Sequence, residues 1–121
     1  MRIVIAPDSF TGTLTAQAAA SAIYTGWQKS DPTAEYWLFP MSDGGPGFIS
    51  AISAAITGEL KEFEISNLLE NTISAPIFFS GDSAYIESAL VVGPQFLTEQ
   101  VRSPLKYTSR GIGQLLSLIH I

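Results

Sequence analysis

The sequence predicts an α/β fold that begins with a βαβ-type parallel sheet and continues as an antiparallel β meander. Ile3, Val4 and Ile5 break at once into Ala6, Pro7, Asp8 and Ser9 and then a small-residue segment, the order strand, polar loop, helix. That order returns at Tyr36–Phe39, where a second apolar run gives way to Pro40-Met41-Ser42-Asp43-Gly44-Gly45-Pro46-Gly47 and an apolar-striped segment. Beyond Gly58 the strand-like runs are no longer separated by helices, and Gly81-Asp82 stands between two of them as a hairpin turn does.

The totals narrow the function. Apolar residues make up 46% of the 121 residues and charged ones only 14%, where a soluble domain typically has about 25%. The net charge is −5, and the six Lys and Arg form no cluster that could neutralise phosphates or meet anionic lipid, so neither nucleic acid nor membrane is an expected partner. The absence of cysteine excludes disulfides, thiolate zinc sites and cysteine nucleophiles. The apolar start is too short for a signal-peptide core, and no run approaches the roughly 18 residues of a membrane span, so a soluble cytoplasmic protein is expected.

Element by element, Thr15 is placed to cap a helix running to about Lys29, with Ala19, Ile23 and Trp27 on one face and Ala22 beside them. Ser30, Asp31, Pro32 and Thr33 form a turn, because proline cannot continue the helix and Asp and Ser bond their own backbone. In the second helix Phe48, Ile49, Ile52 and Ile56 mark the stripe, Pro46 suits the first turn, and Gly58 stands where a left-handed C-cap belongs. Leu60–Ile65, Thr72–Ser80 and Ala84–Leu90 read as the meander, with a boundary near residue 59. Gly93 to Pro104 is loop-like around a short helix at Leu97–Val101, and Thr108–Gly113 precede a last helix. The final apolar run, Leu115–Ile121, has neither cap nor stop signal, an ending expected of a chain that is cut off.

Four places offer chemistry. Asp8 and Ser9, at a strand end, suit a substrate hydroxyl, a metal-bound phosphate or a helix-end amide, and equally an ordinary turn. Asp43, Gly44, Gly45 and Gly47 stand before a helix, where backbone N–H groups can approach an anion; a tight turn needing positive φ explains them as well. The spacing matches neither a Walker loop nor the dinucleotide fingerprint. Ser109, Arg110, Gly111 and Gly113 combine hydroxyl, guanidinium and open backbone, or form a plain loop with an exposed arginine. Glu87, in an otherwise uncharged β-prone run, is either paired and buried or turned outward. The single histidine, His120, allows no histidine metal site and no Ser-His-Asp triad with a second base, and Trp27 and Trp37 read as packing aromatics.

Ala6-Pro7-Asp8-Ser9-Phe10, Pro40-Met41-Ser42-Asp43-Gly44-Gly45-x-Gly47, Ile86-Glu87 and Pro104-Leu105-Lys106-x-Thr108-Ser109-x-Gly111-x-Gly113 together resemble the bacterial glycerate kinase family in order and spacing. The resemblance covers the chain to about residue 116 and corresponds to the amino-terminal part of a longer two-domain α/β fold. It implies that residues 1–58 begin a Rossmann- or flavodoxin-like domain and that 59–121 begin a second α/β domain, truncated. It further implies ATP-dependent phosphorylation of D-glycerate to 2-phosphoglycerate, with ATP and Mg²⁺ as cofactors. Asp8 and Asp43 would be catalytic, and Ser9, Gly44, Gly45, Gly47, Ser109, Arg110, Gly111 and Gly113 would bind substrate or phosphate.

The chain also departs from the family pattern. Thr11 stands where the family usually has lysine, Pro46 and Phe48 where it has Glu and Thr, and Arg110, Ile112 and Gln114 where it has Tyr, Thr and Glu. Losing a lysine beside a phosphate-handling cleft removes charge stabilisation. The family's later glycine-rich blocks have no counterpart, and Ser117-Leu118-Ile119-His120-Ile121 resembles a translated sequencing adapter. The expectation is therefore an incomplete, divergent glycerate kinase that is inactive alone. A non-catalytic anion-binding relative and a structural fragment without activity are the alternatives.

Overall fold

The computed structural model describes residues 1–10, 12–97 and 104–120. It is α/β, and it divides into two compact units, Met1–Thr57 and Gly58–Ile121. In the first unit β1 (Arg2–Ile5) pairs in parallel with β2 (Glu35–Leu38), from Arg2 opposite Glu35 to Ile5 opposite Leu38. The connection between them is α1 (Ala16–Ser30), as a parallel pair requires. Thr15 caps α1 through its Oγ1, which accepts from the Ala18 amide at 3.1 Å. Asp31 Oδ1 ends the following turn by accepting from the Thr33 hydroxyl and amide at 2.8 and 3.1 Å, bonds that hold its carboxyl below the usual range. α2 (Phe48–Ala55) completes the unit.

In the second unit β3 (Glu59–Ser66), β4 (Thr72–Ser80) and β5 (Ser83–Ile86) form an antiparallel sheet in that order. Alternate residues of the strands supply one apolar face, and Ile65, Ala75 and Ile77 are buried in it together with Val91 of α3 (Ala89–Val92) and Leu115 of α4 (Arg110–Leu118). Ile112, Leu118 and Ile119 pack against the same cluster. Gln114 ties α4 to the sheet, its Oε1 accepting from the Ser66 amide at 2.8 Å. The β3–β4 connection is held from within by buried Asn67, whose Oδ1 accepts from the Leu69 and Asn71 amides at 2.9 and 3.0 Å. Proline at position 76 of the central strand is tolerated because β5 stops opposite Ile77, so β4 has one neighbour there.

Several local expectations are corrected. Ile23 and Trp27 do not face the sheet: α1 buries Ala19 and Ala20, and Tyr24 meets Tyr36 edge-on at 5.2 Å, so the contact stripe runs through Ala20 and Tyr24. α2 starts at Phe48 behind Gly47, leaving Pro46 outside its first turn, and Ile56 is an extended, exposed residue past its end. Gly58 is no left-handed cap. A Cβ at that position would overlap the Phe79 carbonyl oxygen and the Phe78 ring, so close packing on β4 is what requires glycine. The third strand of the meander ends at Ile86, with Leu90 inside α3. The block Arg110–Gly113 is the first turn of α4 and not a loop ahead of it. The short helix expected at Leu97–Val101 falls on residues 98–101, outside the described residues, as does Thr11.

Gly111 and Gly113 make a sharp pair. A Cβ at 111 would overlap the Ser66 carbonyl oxygen and press on Val91, whereas one at 113 would meet nothing within 4 Å. Gly111→Ala should therefore destabilise the chain by about 3 kcal/mol in urea denaturation, through overpacking. Gly113→Ala, in an open helical position, should stabilise it by about 0.5–1 kcal/mol in the same measurement.

Candidate functional site

The first unit places its chemistry where the two strands stop. The parallel ladder continues beyond them, with the Phe39 amide donating to the Ile5 carbonyl at 2.8 Å and the Met41 amide to the Pro7 carbonyl at 2.9 Å. The two loops that leave the sheet are thus laid side by side, one leading to α1 and the other to α2. Outside the carboxyl ends of parallel strands is the usual place for a ligand in such sheets. The loops open into a cleft of about 470 Å³ lined by Asp8, Ser9, Asp43 and Gly47 among others.

Each acidic side chain is fixed by its own loop. Asp8 Oδ1 accepts from the Ser9 amide at 2.6 Å and Asp43 Oδ1 from the Gly45 amide at 2.9 Å, while Oδ2 of either residue makes no hydrogen bond among the described residues. Ser42 adds a second short turn, its Oγ accepting from the Gly44 amide at 3.2 Å. Gly47 is the N-cap of α2 with φ 93°. Farther along the Asp8 loop, Phe10 and Leu14 close a tight turn: the Phe10 carbonyl accepts from Thr13 and Leu14 amides at 2.8 and 3.1 Å, and the Phe10 amide donates to the Leu14 carbonyl at 2.9 Å.

Of the residues singled out by sequence, Asp8, Ser9, Asp43 and Gly47 come together on this cleft, and Gly44 and Gly45 belong to its loop without lining it. Ser109, Arg110, Gly111 and Gly113 belong to the second unit, at the start of α4, where Ser109 and Arg110 are exposed and Gly111 is buried. Glu87 is buried in that unit, just beyond β5. Sequence reasoning passed over Gln17, Met41 and Ser50, which also line the cleft. Gln17 and Ser50 lie in the first turns of the helices that leave the two loops, and the fold decides which faces of those turns meet the cleft. Among the described residues no three His, Cys, Asp or Glu side chains gather to hold a metal, and no helix is long and apolar enough to cross a membrane.

The chain is similar to known proteins in both sequence and fold. The model of the glycerate kinase family matches residues 3–119. The chain is 42% identical over 116 residues to a glycerate kinase of Halalkalibacterium halodurans, covering 94% of this chain and 30% of that protein. It is 40% identical to a glycerate kinase of Haemophilus influenzae, covering 98% of this chain and 32% of the relative. A glycerate 2-kinase of Escherichia coli is 38% identical, with 96% of this chain and 31% of the relative covered. A crystal structure provisionally named glycerate kinase 2, from Salmonella typhimurium LT2, superposes with a TM-score of 0.80 at 38% identity, covering 98% of this chain and 33% of that one. The chain thus spans about a third of the length of the proteins it matches.

The loop geometry yields a mutational test by chemical denaturation. Asp43→Asn keeps an Oδ1 for the Gly45 amide and should shift stability by less than about 0.5 kcal/mol, whereas Asp43→Ala removes that bond and should cost about 1 kcal/mol. Gly47→Ala forces a Cβ into positive φ and should cost about 1–3 kcal/mol.

Proposed function

The chain belongs to the glycerate kinase family, and from that premise we propose that its first unit supplies acceptor- and phosphate-binding residues for ATP-dependent phosphorylation of D-glycerate at the 2-hydroxyl. One observation carries the reading: two aspartate-bearing loops, aligned by the β1–β2 ladder, open into a single cleft. Phosphoryl transfer asks a protein mainly to position its reactants and to balance charge.

The residues suit that task. Mg²⁺ is commonly held by one or two carboxylates together with substrate phosphates, and Asp8 and Asp43 each present an oxygen unused by the described residues, so these two would hold it. When bound, Mg²⁺–ATP supplies the phosphoryl group and neutralises its charge. The carboxylates also suit general-base work on the acceptor hydroxyl. Ser9 offers its hydroxyl to a phosphate, and the loop Gly44-Gly45-x-Gly47 carries the chain into α2 with the Gly44 and Gly45 amides engaged by Ser42 and Asp43, so that its glycines would serve a phosphate by letting it approach the backbone closely. In the second unit Ser109 and Arg110 are the exposed groups that suit an anion, while burial of Gly111 against Ser66 gives that glycine a packing role.

A second reading draws on the lining of the cleft, which contains no Lys or Arg among the described residues. Without a cation to balance a transferring phosphoryl group, the chain binds the acceptor and does not phosphorylate it. Calorimetric titration with D-glycerate and a coupled assay of ADP release with Mg²⁺–ATP separate the two. The kinase reading expects saturable D-glycerate binding and D-glycerate-dependent ADP release, with ³¹P NMR placing the phosphate on the 2-hydroxyl. Binding without release supports the second reading, and absence of binding overturns both.

A further inference from the structure

The charges of the first unit are segregated. Its only basic side chains are Arg2 and Lys29. Arg2 opens β1 and pairs with Glu35 at 3.3 Å, and Lys29 lies in the last turn of α1. Both therefore stand at the amino ends of the strands, away from the loops that form the cleft. At the cleft the charged lining consists of Asp8 and Asp43, each held in place by a main-chain amide on Oδ1 and each with Oδ2 unengaged by the described residues. A carboxylate oxygen accepts hydrogen bonds and donates none at neutral pH. Two such acceptors suit ligand hydroxyls, and they repel a ligand carboxylate that has no compensating cation.

We propose that this cleft recognises its acceptor through vicinal hydroxyl groups, with Asp8 and Asp43 as hydrogen-bond acceptors, and that it does not read the acceptor's carboxylate. This rests on the reading of the cleft as the acceptor site and specifies the substrate class that the first unit selects: a polyol or polyhydroxy acid bearing a 1,2-diol. The carboxylate of such an acid points away from both aspartates, and its recognition falls to groups outside the first unit. Met41, Phe10 and Leu14, which line the same cleft, suit the carbon face of a short polyol.

The test uses the 121-residue chain with EDTA present and nucleotide absent, so that no metal bridges the carboxylates. Titrations followed by amide chemical shifts compare D-glycerate with glycerol, which keeps the diol and lacks the acid, and with D-lactate and 3-hydroxypropionate, each of which keeps the acid and lacks one hydroxyl. The expected order is glycerol within about three-fold of D-glycerate and both hydroxyl-deleted acids weaker by about ten-fold or more, the scale of a lost charge-assisted hydrogen bond. D-lactate or 3-hydroxypropionate binding as well as D-glycerate while glycerol fails to bind would overturn the inference and leave the acceptor-site reading standing. If D-glycerate itself fails to bind, with EDTA or with Mg²⁺, the acceptor-site reading falls and the inference with it.

Discussion

Two hydrogen bonds beyond the ends of β1 and β2 decide where the chemistry of the first unit lies. With Phe39 joined to Ile5 and Met41 to Pro7, the parallel register survives into the loops, and aspartates 35 residues apart in sequence share one cleft. The internal bonds of the loops, Asp8 to Ser9 and Asp43 to Gly45, shape each loop by itself. A register slip of one residue would turn every side chain of the pair over and separate the loops.

The second unit is built on a different constraint, the filling of one sheet face by two helices. Ile77, Val91 and Leu115 are fully buried, and the approach of α4 to β3 is close enough that position 111 admits no side chain. The Ser109–Gly113 block therefore has two kinds of glycine within one turn. One is demanded by the Ser66 carbonyl, and the other faces open space, with no packing reason for lacking a side chain.

Much of this was legible from local sequence because local physics governs it. The strand-to-loop breaks at Pro7 and Pro40, the Thr15 cap, the Asp31–Thr33 turn and the Gly81-Asp82 hairpin each depend on residues within a few positions of one another, and each stands as read. What sequence could not supply was orientation against distant elements. Ala19, Ile23 and Trp27 form a sound helical stripe, yet the neighbouring stripe through Ala20 and Tyr24 meets the sheet because Tyr36 lies there. Gly58 looked like a cap because a helix precedes it, while its reason lies more than twenty residues away at Phe79. The glycines of α4 suggested a loop from their low helix propensity, which burial of Leu115 and the Gln114–Ser66 bond override. At the site the loop residues were legible and the helix residues Gln17 and Ser50 were not, since only the fold shows which helix faces turn toward a loop.

The segregation of charge in the first unit has a kinetic side. Arg2 and Lys29, with Asp31 and Glu35 beside them, occupy one end, and the cleft end holds two aspartates with no local counterion among the described lining residues. The unit is electrically polar along its strands. An anion approaching the cleft climbs a repulsive potential that salt flattens over about 8–10 Å at ordinary ionic strength, so added salt speeds its arrival, where a basic cleft would lose encounters to the same screening. Small cations and neutral polyols meet no such barrier, and solution conditions alone can change which ligand reaches the loops first.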